Sequence, residues 1–354
     1  MSLYSTLRPA LFLLPPEKAH RAAICALQRG LVPPARSTHA NLKTSVAGLS
    51  FENPVGLAPG FDKNAECFEG ALNAGCGFVE IGTVTPRAQA GNPTPRVFRL
   101  VEHEAIINRL GFNNEGMDAA AARLAKRSGR GIIGGNIGKN KESADAVADY
   151  TAAMRALYPH VDYITANISS PNTPGLRALQ AADELKALIE ALQKLRAALV
   201  AEGAPHRPIF VKIAPDCDDA MLEAIAQTAL ATGLDGLIVG NTTLSREAVA
   251  NSPHTQEAGG LSGKPLFALS KEILRKIYRL TGGKIPLIGV GGIASAADAY
   301  EKIRAGASLV QLYSALIYQG FGLVSSINDG LSELLTRDGF TNVSDAVGSA
   351  HRIG

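Results

Sequence analysis

The chain has 354 residues, 46% of them hydrophobic, with 36 glycines, 19 prolines and no tryptophan; this is material for a large core and excludes a disordered chain. A net charge of +3 is too small for a nucleic-acid-binding surface of the usual basic kind. It is also unevenly placed, because within residues 1–40 Arg8, Lys18, Arg21, Arg29 and Arg36 stand against Glu17 alone, which leaves the rest close to neutral.

In residues 1–40, Leu3, Leu7, Leu11 and Leu14 recur at helical spacing, Phe12 and Leu13 widen the stripe, and Pro15-Pro16 ends the segment. A second helical pattern starts after Pro16, with Ala19, Ala23, Ile24 and Leu27 toward one face, and closes at Pro33-Pro34. The apolar run Ala10–Leu14 is too short to span a bilayer and lacks the pattern of a signal peptide. A short basic helical pair with an exposed apolar face predicts interfacial membrane attachment; the alternative is a helical hairpin that caps the bottom of the domain after it. Residues 1–40 are therefore read as one unit and 41–354 as another.

From Leu49 onward, short apolar runs alternate with helical patterns. Strands are predicted at Pro54–Ala58, Gly77–Gly82, Gly131–Ile137, Val161–Ile168, Pro208–Ile213, Gly236–Val239, Pro286–Val290 and Ser308–Leu312. Helices are predicted over Cys67–Ala74, Ala119–Arg127, Ser143–Leu157, Asp183–Ala201, Asp218–Ala231, Leu269–Leu280 and Ala296–Ala305. Eight strand–helix units predict the α/β class and a parallel (β/α)8 TIM barrel. Two connections are long: Thr83–Asn113, read as a small antiparallel flap, and Asn241–Lys264, polar and glycine-rich, read as a mobile active-site loop.

In such a barrel chemistry belongs at the carboxyl ends of the strands, and here those ends carry Gly60–Asn64, Gly82–Thr85, Asn136–Lys139, Asn167–Arg177, Lys212–Pro215, Gly240–Thr243, Gly289–Ile293 and Tyr313-Ser314. The Asn167–Arg177 stretch packs amides, two adjacent serines and two prolines into a stiff turn. Its amides suit a flat heterocycle lined with alternating donors and acceptors, and a serine beside them offers a proton acceptor. Gly289–Ala294 satisfies G-x-G-x-x-A, but no acidic residue follows about 20 positions on to hold a ribose. After strand seven of a barrel it reads instead as a phosphate loop. A phosphate plus a flat ring at the barrel mouth suggests flavin mononucleotide (FMN). Lys212 and Lys63 sit where a lysine ammonium beside reduced flavin would raise its hydride affinity, or hold a substrate carboxylate. The seven histidines form no metal-ligand spacing and are read as non-catalytic, and Asp62 is read as a loop partner. The four cysteines, Cys25, Cys67, Cys76 and Cys217, form no C-x-x-C pair, so reduced thiols in a cytosolic setting are expected and no structural metal.

These residues resemble a known family. Asn167–Arg177 is similar to the signature of the class 2, quinone-linked dihydroorotate dehydrogenases. Ile81–Arg87, Asn108–Asn114, Asn136–Asn140, Val211–Pro215, Asn241–Thr243, Gly259–Gly263 and Gly289–Ile293 follow in the expected order, so the resemblance covers almost the whole chain. It implies oxidation of dihydroorotate to orotate on FMN and reoxidation of the flavin by a membrane quinone, in pyrimidine biosynthesis. By position, it makes Ser170 the base that takes the C5 proton, with Thr173 and Phe112 flanking the proton's onward route; the soluble class uses cysteine, and none lies in this loop. It assigns the pyrimidine to Lys63, Asn108, Arg109, Leu110, Gly111, Phe112, Asn167, Asn172, Asn241 and Thr242. It assigns FMN to Pro59, Gly60, Phe61, Asp62, Lys63, Thr83, Asn136, Asn167, Lys212, Gly240, Gly263, Gly292, Tyr313 and Ser314. Residues 1–40 become a quinone-access segment that holds the protein peripherally on the cytoplasmic side of the membrane. Three features depart from the family pattern: Pro59 and Phe61 beside Gly60, Gly240 in place of a hydroxyl-bearing residue, and His103 in the flap. The competing readings are an FMN barrel acting on another dihydropyrimidine or an enoyl compound, and a non-catalytic phosphate-binding barrel that docks to membranes.

Overall fold

The computed structural model describes residues 3–35 and 39–352; Arg36 and the side chain of Leu3, both invoked above, lie outside what is described. The chain opens with helices α1 (Leu3–Leu13) and α2 (Pro16–Gln28), the latter started by Pro16 in its first turn. A hairpin of β1 (Thr44–Val46) and β2 (Leu49–Phe51) follows. The barrel then begins with β3 (Val55–Leu57), α3 (Phe68–Asn73) and β4 (Phe78–Val84). After β4 the chain forms the flap strands β5 (Val97–Leu100) and β6 (Ala105–Asn108), then α4 (Met117–Leu124), β7 (Ile132–Ile137), α5 (Ala146–Leu157) and β8 (Tyr163–Asn167). Next come α6 (Ala182–Ala201), β9 (Ile209–Ile213), α7 (Asp219–Thr232), β10 (Gly236–Val239), β11 (Gly260–Gly263) and α8 (Phe267–Leu280). The chain ends with β12 (Leu287–Val290), α9 (Ala296–Arg304), β13 (Leu309–Leu312), α10 (Ser314–Gln319), α11 (Gly322–Arg337) and α12 (Val343–Ala346).

Strands β3, β4, β7, β8, β9, β10, β12 and β13 close in that order into a barrel, every pairing parallel. All eight are the predicted ones. Their near-continuous apolar runs follow from burial on both faces, against the barrel interior and the helix ring. Helix starts are set by side-chain caps: Asp145 accepts from the Ala148 amide at 2.9 Å, and Asp218 from the Met221 amide at 2.8 Å. Inside the barrel, Gly134 leaves room for a neighbour, since a Cβ there would stand 2.1 Å from the Tyr163 ring.

The barrel bottom is closed by the β1–β2 hairpin. Val46 and Phe51 pack there with Phe78, Tyr163, Phe210, Ile238, Ile288 and Leu309. The alternative in which the N-terminal helices cap the bottom is therefore corrected: α1 and α2 border the same cavity as the strand ends at the mouth. Ile24 and Leu27 are buried, and a Cβ on Gly70 of α3 would meet the Leu27 carbonyl at 2.5 Å, so the two helices are in close contact. Tyr4 donates to the Ile317 carbonyl at 2.6 Å and Arg96 grips Glu17 with two bonds of 2.9 Å, which ties α1 to α10 and α2 to the flap.

The flap is antiparallel, as predicted, but it has three strands in the order β5, β6, β11. The third comes from the Asn241–Lys264 connection, which is thus partly ordered by pairing rather than a free loop. Period-2 alternation along β6 turns Ile106 and Asn108 to the cavity, and Ala105 and Ile107 into a small core with Leu100, Val249 and Leu261.

Candidate active site

The strand ends, the flap, α10 and the two N-terminal helices enclose one cavity of about 1130 Å³, large enough for two stacked planar ligands plus an access channel. Most of the residues singled out from sequence line it: Pro59, Gly60, Phe61, Lys63, Thr83, Asn108, Leu110, Gly111, Phe112, Asn167, Ser170, Asn172, Lys212, Gly240, Asn241, Thr242, Gly263, Gly292, Tyr313 and Ser314. Three do not. The Asp62 carboxylate is fully buried and accepts the Glu66 and Cys67 amides at 2.7 and 2.8 Å, so it shapes the Gly60–Cys67 loop instead of facing a ligand. Asn136 stands behind Thr83. Arg109, one step past Asn108 on the alternation of β6, turns outward to Glu257 at 2.6 Å and stacks over Phe98.

A relay of hydrogen bonds fixes the cavity floor. Asn167 Nδ2 donates to Thr83 Oγ1 at 2.8 Å, Thr83 Oγ1 donates to Asn136 Oδ1 at 2.5 Å, and Asn136 Nδ2 donates to Glu80 Oε1 at 2.7 Å. The other Glu80 oxygen accepts from Tyr163 at 3.0 Å and Gln311 at 2.8 Å. Three donors converging on one buried carboxyl suit an ionised, acceptor-only group. Lys212 is also buried; burial pulls its pKa down and the Glu80 charge opposes that pull.

On the Asn167–Arg177 loop, Ser170 is buried and its Oγ accepts the Asn172 amide at 3.2 Å. Asn172 Nδ2 reaches the Asn108 carbonyl at 3.1 Å, and Asn241 Nδ2 donates to Ser169 Oγ at 2.9 Å. Arg177 braces the loop from behind through the carbonyls of Ser169 and Thr242 and the Asp216 carboxylate. Phe112 holds a left-handed backbone (φ 54°), rare for a bulky side chain; its carbonyl is gripped by Gln89 and Asn114.

The site leaves polar capacity unmatched. Thr242 Oγ1, Gln311 Oε1 and Asn113 Oδ1 are buried without a partner among the described residues, and buried polar atoms are normally paired. The amides of Gly291, Gly292 and Ile293 likewise have no partner among the described residues. Lys63, half-buried on the wall, has its pKa pushed down to about 8, by burial above all, with Glu17 opposing and Arg96 assisting.

Glu80, Gln311 and His20 escaped the sequence reading, although signals were present. An acid inside the apolar Phe78–Val84 run and a glutamine inside Leu309–Leu312 are unusual for buried strands. His20 shares a helix face with Ile24 and Leu27. It lies edge-on to Phe61 at 5.0 Å, and burial, aided by the Lys63 charge, lowers its pKa to about 4. It is neutral at pH 7. His103 sits in the turn between β5 and β6, 3.9 Å from Glu102 and outside the cavity lining.

Fold and site together define an α/β-barrel enzyme whose buried hydroxyl, amides and lysines share one chamber with an apolar helical entrance. The chain belongs to the dihydroorotate dehydrogenase family: residues 41–335 match the family model of that description. It is 54% identical to the dihydroorotate dehydrogenase (quinone) of Xanthobacter autotrophicus over 353 residues, covering 98% of this chain and 99% of that one. It is 54% identical to the protein of the same name from Agrobacterium fabrum, covering 97% and 95%. Among solved structures, the Eimeria tenella enzyme in complex with ferulenol is similar at a TM-score of 0.91 and 42% identity, covering 95% of this chain and 96% of that one. The ligand-free form matches with the same TM-score and identity.

Proposed function

We propose that this protein oxidises dihydroorotate to orotate in pyrimidine biosynthesis, with FMN as hydride acceptor and a membrane quinone as final oxidant. The observation that carries this reading is the single chamber that joins Ser170, the amides of Asn108, Asn167, Asn172 and Asn241, and both lysines to the inner faces of α1 and α2. FMN, when bound, would supply a hydride acceptor for C6 of the substrate that a quinone can reoxidise. Gly263, Gly292, Tyr313 and Ser314 would hold its phosphate end, Thr83, Asn167 and Lys212 its ring, and Pro59, Gly60, Phe61 and Gly240 would border it. The unpaired amides and buried orphan atoms support this fit. Ser170 takes the C5 proton. Asn172 is its one hydrogen-bond partner among the described residues, with no histidine or carboxylate to receive the proton, so the proton leaves to water. Lys63, Asn108, Leu110, Gly111, Phe112, Asn172, Asn241 and Thr242 surround the pyrimidine.

Anaerobic mixing with dihydroorotate tests the reading: the flavin should bleach, and a protein that stays yellow refutes it. Orotate titration of the bound flavin, run against pH, reports on Lys63. Its ammonium is present below about pH 8 and lost above it, so orotate affinity should fall about tenfold per pH unit above that point. In Lys63→Gln this fall should be absent.

Residues 1–40 serve as the membrane-docking and quinone-access unit and residues 41–354 as the catalytic unit. Leu7, Leu13, Leu14 and Leu31 are exposed, as are Lys18 and Arg29, and no helix among the described residues is long and apolar enough to cross a membrane. That combination fits peripheral attachment to anionic lipid on the cytoplasmic side. Changing Leu7, Leu13 and Leu31 together to Asp spares the buried Ile24 and Leu27. It should abolish sedimentation with anionic phospholipid vesicles and cut turnover with vesicle-embedded quinone about tenfold, equivalent to about 1.4 kcal/mol, while dihydroorotate still bleaches the flavin. Unchanged sedimentation would show that the helices do not dock.

A further inference from the structure

Helix α9 carries a lysine that the reaction above does not use. Lys302 is among the largest fully buried side chains, while Glu301 beside it is exposed. Its Nζ donates to Ser270 Oγ at 2.5 Å, stands 3.5 Å from the Val290 carbonyl and lies 5.4 Å from the Phe267 ring centre. No carboxylate pairs with it among the described residues. Glu301 is taken by Lys271 at 2.5 Å, and Asp298 accepts the Ala294 amide at 3.0 Å. A buried cation without a counter-ion is costly, and burial lowers the Lys302 pKa strongly, Lys271 adding to the effect and Asp298 opposing it.

What Lys302 touches gives it a use. Ser270, which accepts from Lys302, donates to the Gly291 carbonyl at 3.0 Å and stands 3.1 Å from that of Phe267. The Gly291 carbonyl is thus drawn toward α8, and the Val290 carbonyl, which also accepts the Gly240 amide at 3.4 Å, lies on the same side against Lys302. Neither the 290–291 nor the 291–292 peptide is cis, and in a trans peptide the N–H points opposite to the C=O. The Gly291 and Gly292 amides, unpaired among the described residues, therefore point away from Lys302, and both residues line the cavity. The loop lies close against the helices: a Cβ on Gly291 would stand 2.9 Å from Ser270 Oγ, and one on Gly292 2.5 Å from the Phe267 backbone.

We propose that Lys302 is the positioning residue of the flavin phosphate site: through Ser270 at Gly291, and beside the Gly240 amide at Val290, its amine orients the loop so that two backbone amides face the phosphate. This rests on the reading that FMN phosphate binds at the loop after β12.

The test compares FMN with riboflavin, which lacks the phosphate, by quenching of flavin fluorescence on the full-length protein stripped of flavin. Wild type should bind FMN far more tightly than riboflavin; equal binding of the two would refute the underlying phosphate reading, whatever the variants do. Lys302→Met should lose FMN affinity by about tenfold or more, as expected when hydrogen bonds from two oriented amides to an anion are weakened, with riboflavin affinity unchanged. Flavin-free Lys302→Met should unfold no earlier than wild type, because a buried amine without a counter-ion has gone. Equal loss of both flavins, or no loss of FMN, overturns the proposal. Ser270→Ala, a milder change, should shift the ³¹P resonance of bound FMN and weaken FMN selectively; an unmoved resonance also overturns it.

Discussion

Replacing Ser170 with alanine should slow flavin reduction by dihydroorotate by about 10²–10⁴-fold, the usual worth of a positioned general base, and leave reoxidation by quinone unchanged. The split follows from where the hydroxyl sits. Ser170 is buried on the Asn167–Arg177 loop, and among the described residues its hydroxyl is bonded by the Asn172 amide alone. Its loss removes a proton acceptor and leaves one backbone donor to find water. The loop itself is held elsewhere, by Arg177 on the Ser169 carbonyl and by Asn241 on Ser169 Oγ, so orotate affinity should stay within a few-fold of wild type. Ser170→Cys keeps an acceptor and should retain more of the rate than alanine does. Stopped-flow measurement of the two half-reactions decides it; an alanine variant reduced at the wild-type rate would remove Ser170 from the chemistry.

The parts that could be read from sequence are those where one residue pattern has one structural outcome. Eight apolar runs bounded by glycine and proline become eight barrel strands because burial on both faces asks for just such runs. The amides and lysines at their ends converge because the barrel brings all carboxyl ends to one rim. What stayed hidden depends on partners far along the chain. Thr44–Val46 and Leu49–Phe51 are three residues each and carry too little alternation to announce a hairpin; the plug they form is defined by Phe78, Tyr163 and Phe210 beneath it. Gly260–Gly263 has loop composition and becomes a strand only through pairing with β6. Arg109 shared a motif with Asn108, and the two-residue period of the strand sends it the other way. Lys302 lies among the charges of Glu301–Arg304, and only the packing of α9 shows it buried.

The second large effect is expected at the barrel floor, where Glu80 and Lys212 are the opposed buried charges. Glu80→Gln keeps the shape but turns an acceptor of three hydrogen bonds into a group with one acceptor oxygen and an NH2 facing the Asn136, Tyr163 and Gln311 donors. It also strips Lys212 of the one charge that favours its ammonium. Removing one member of a buried charge pair costs about 3–5 kcal/mol, so the midpoint of urea unfolding of the flavin-free protein should fall accordingly. Lys212→Met alone should cost less flavin-free stability than Glu80→Gln, since the Glu80 carboxylate keeps its three hydrogen bonds, yet slow flavin reduction by about 10²–10³-fold through loss of a preorganised positive group. The double variant separates the two roles. If the charges are coupled, Lys212→Met should restore about 1–3 kcal/mol of what Glu80→Gln loses, while activity stays as low as in Lys212→Met. Strict additivity of the two stability changes would mean that Glu80 serves only the Asn136–Thr83–Asn167 relay, and that Lys212 owes its place to the flavin alone.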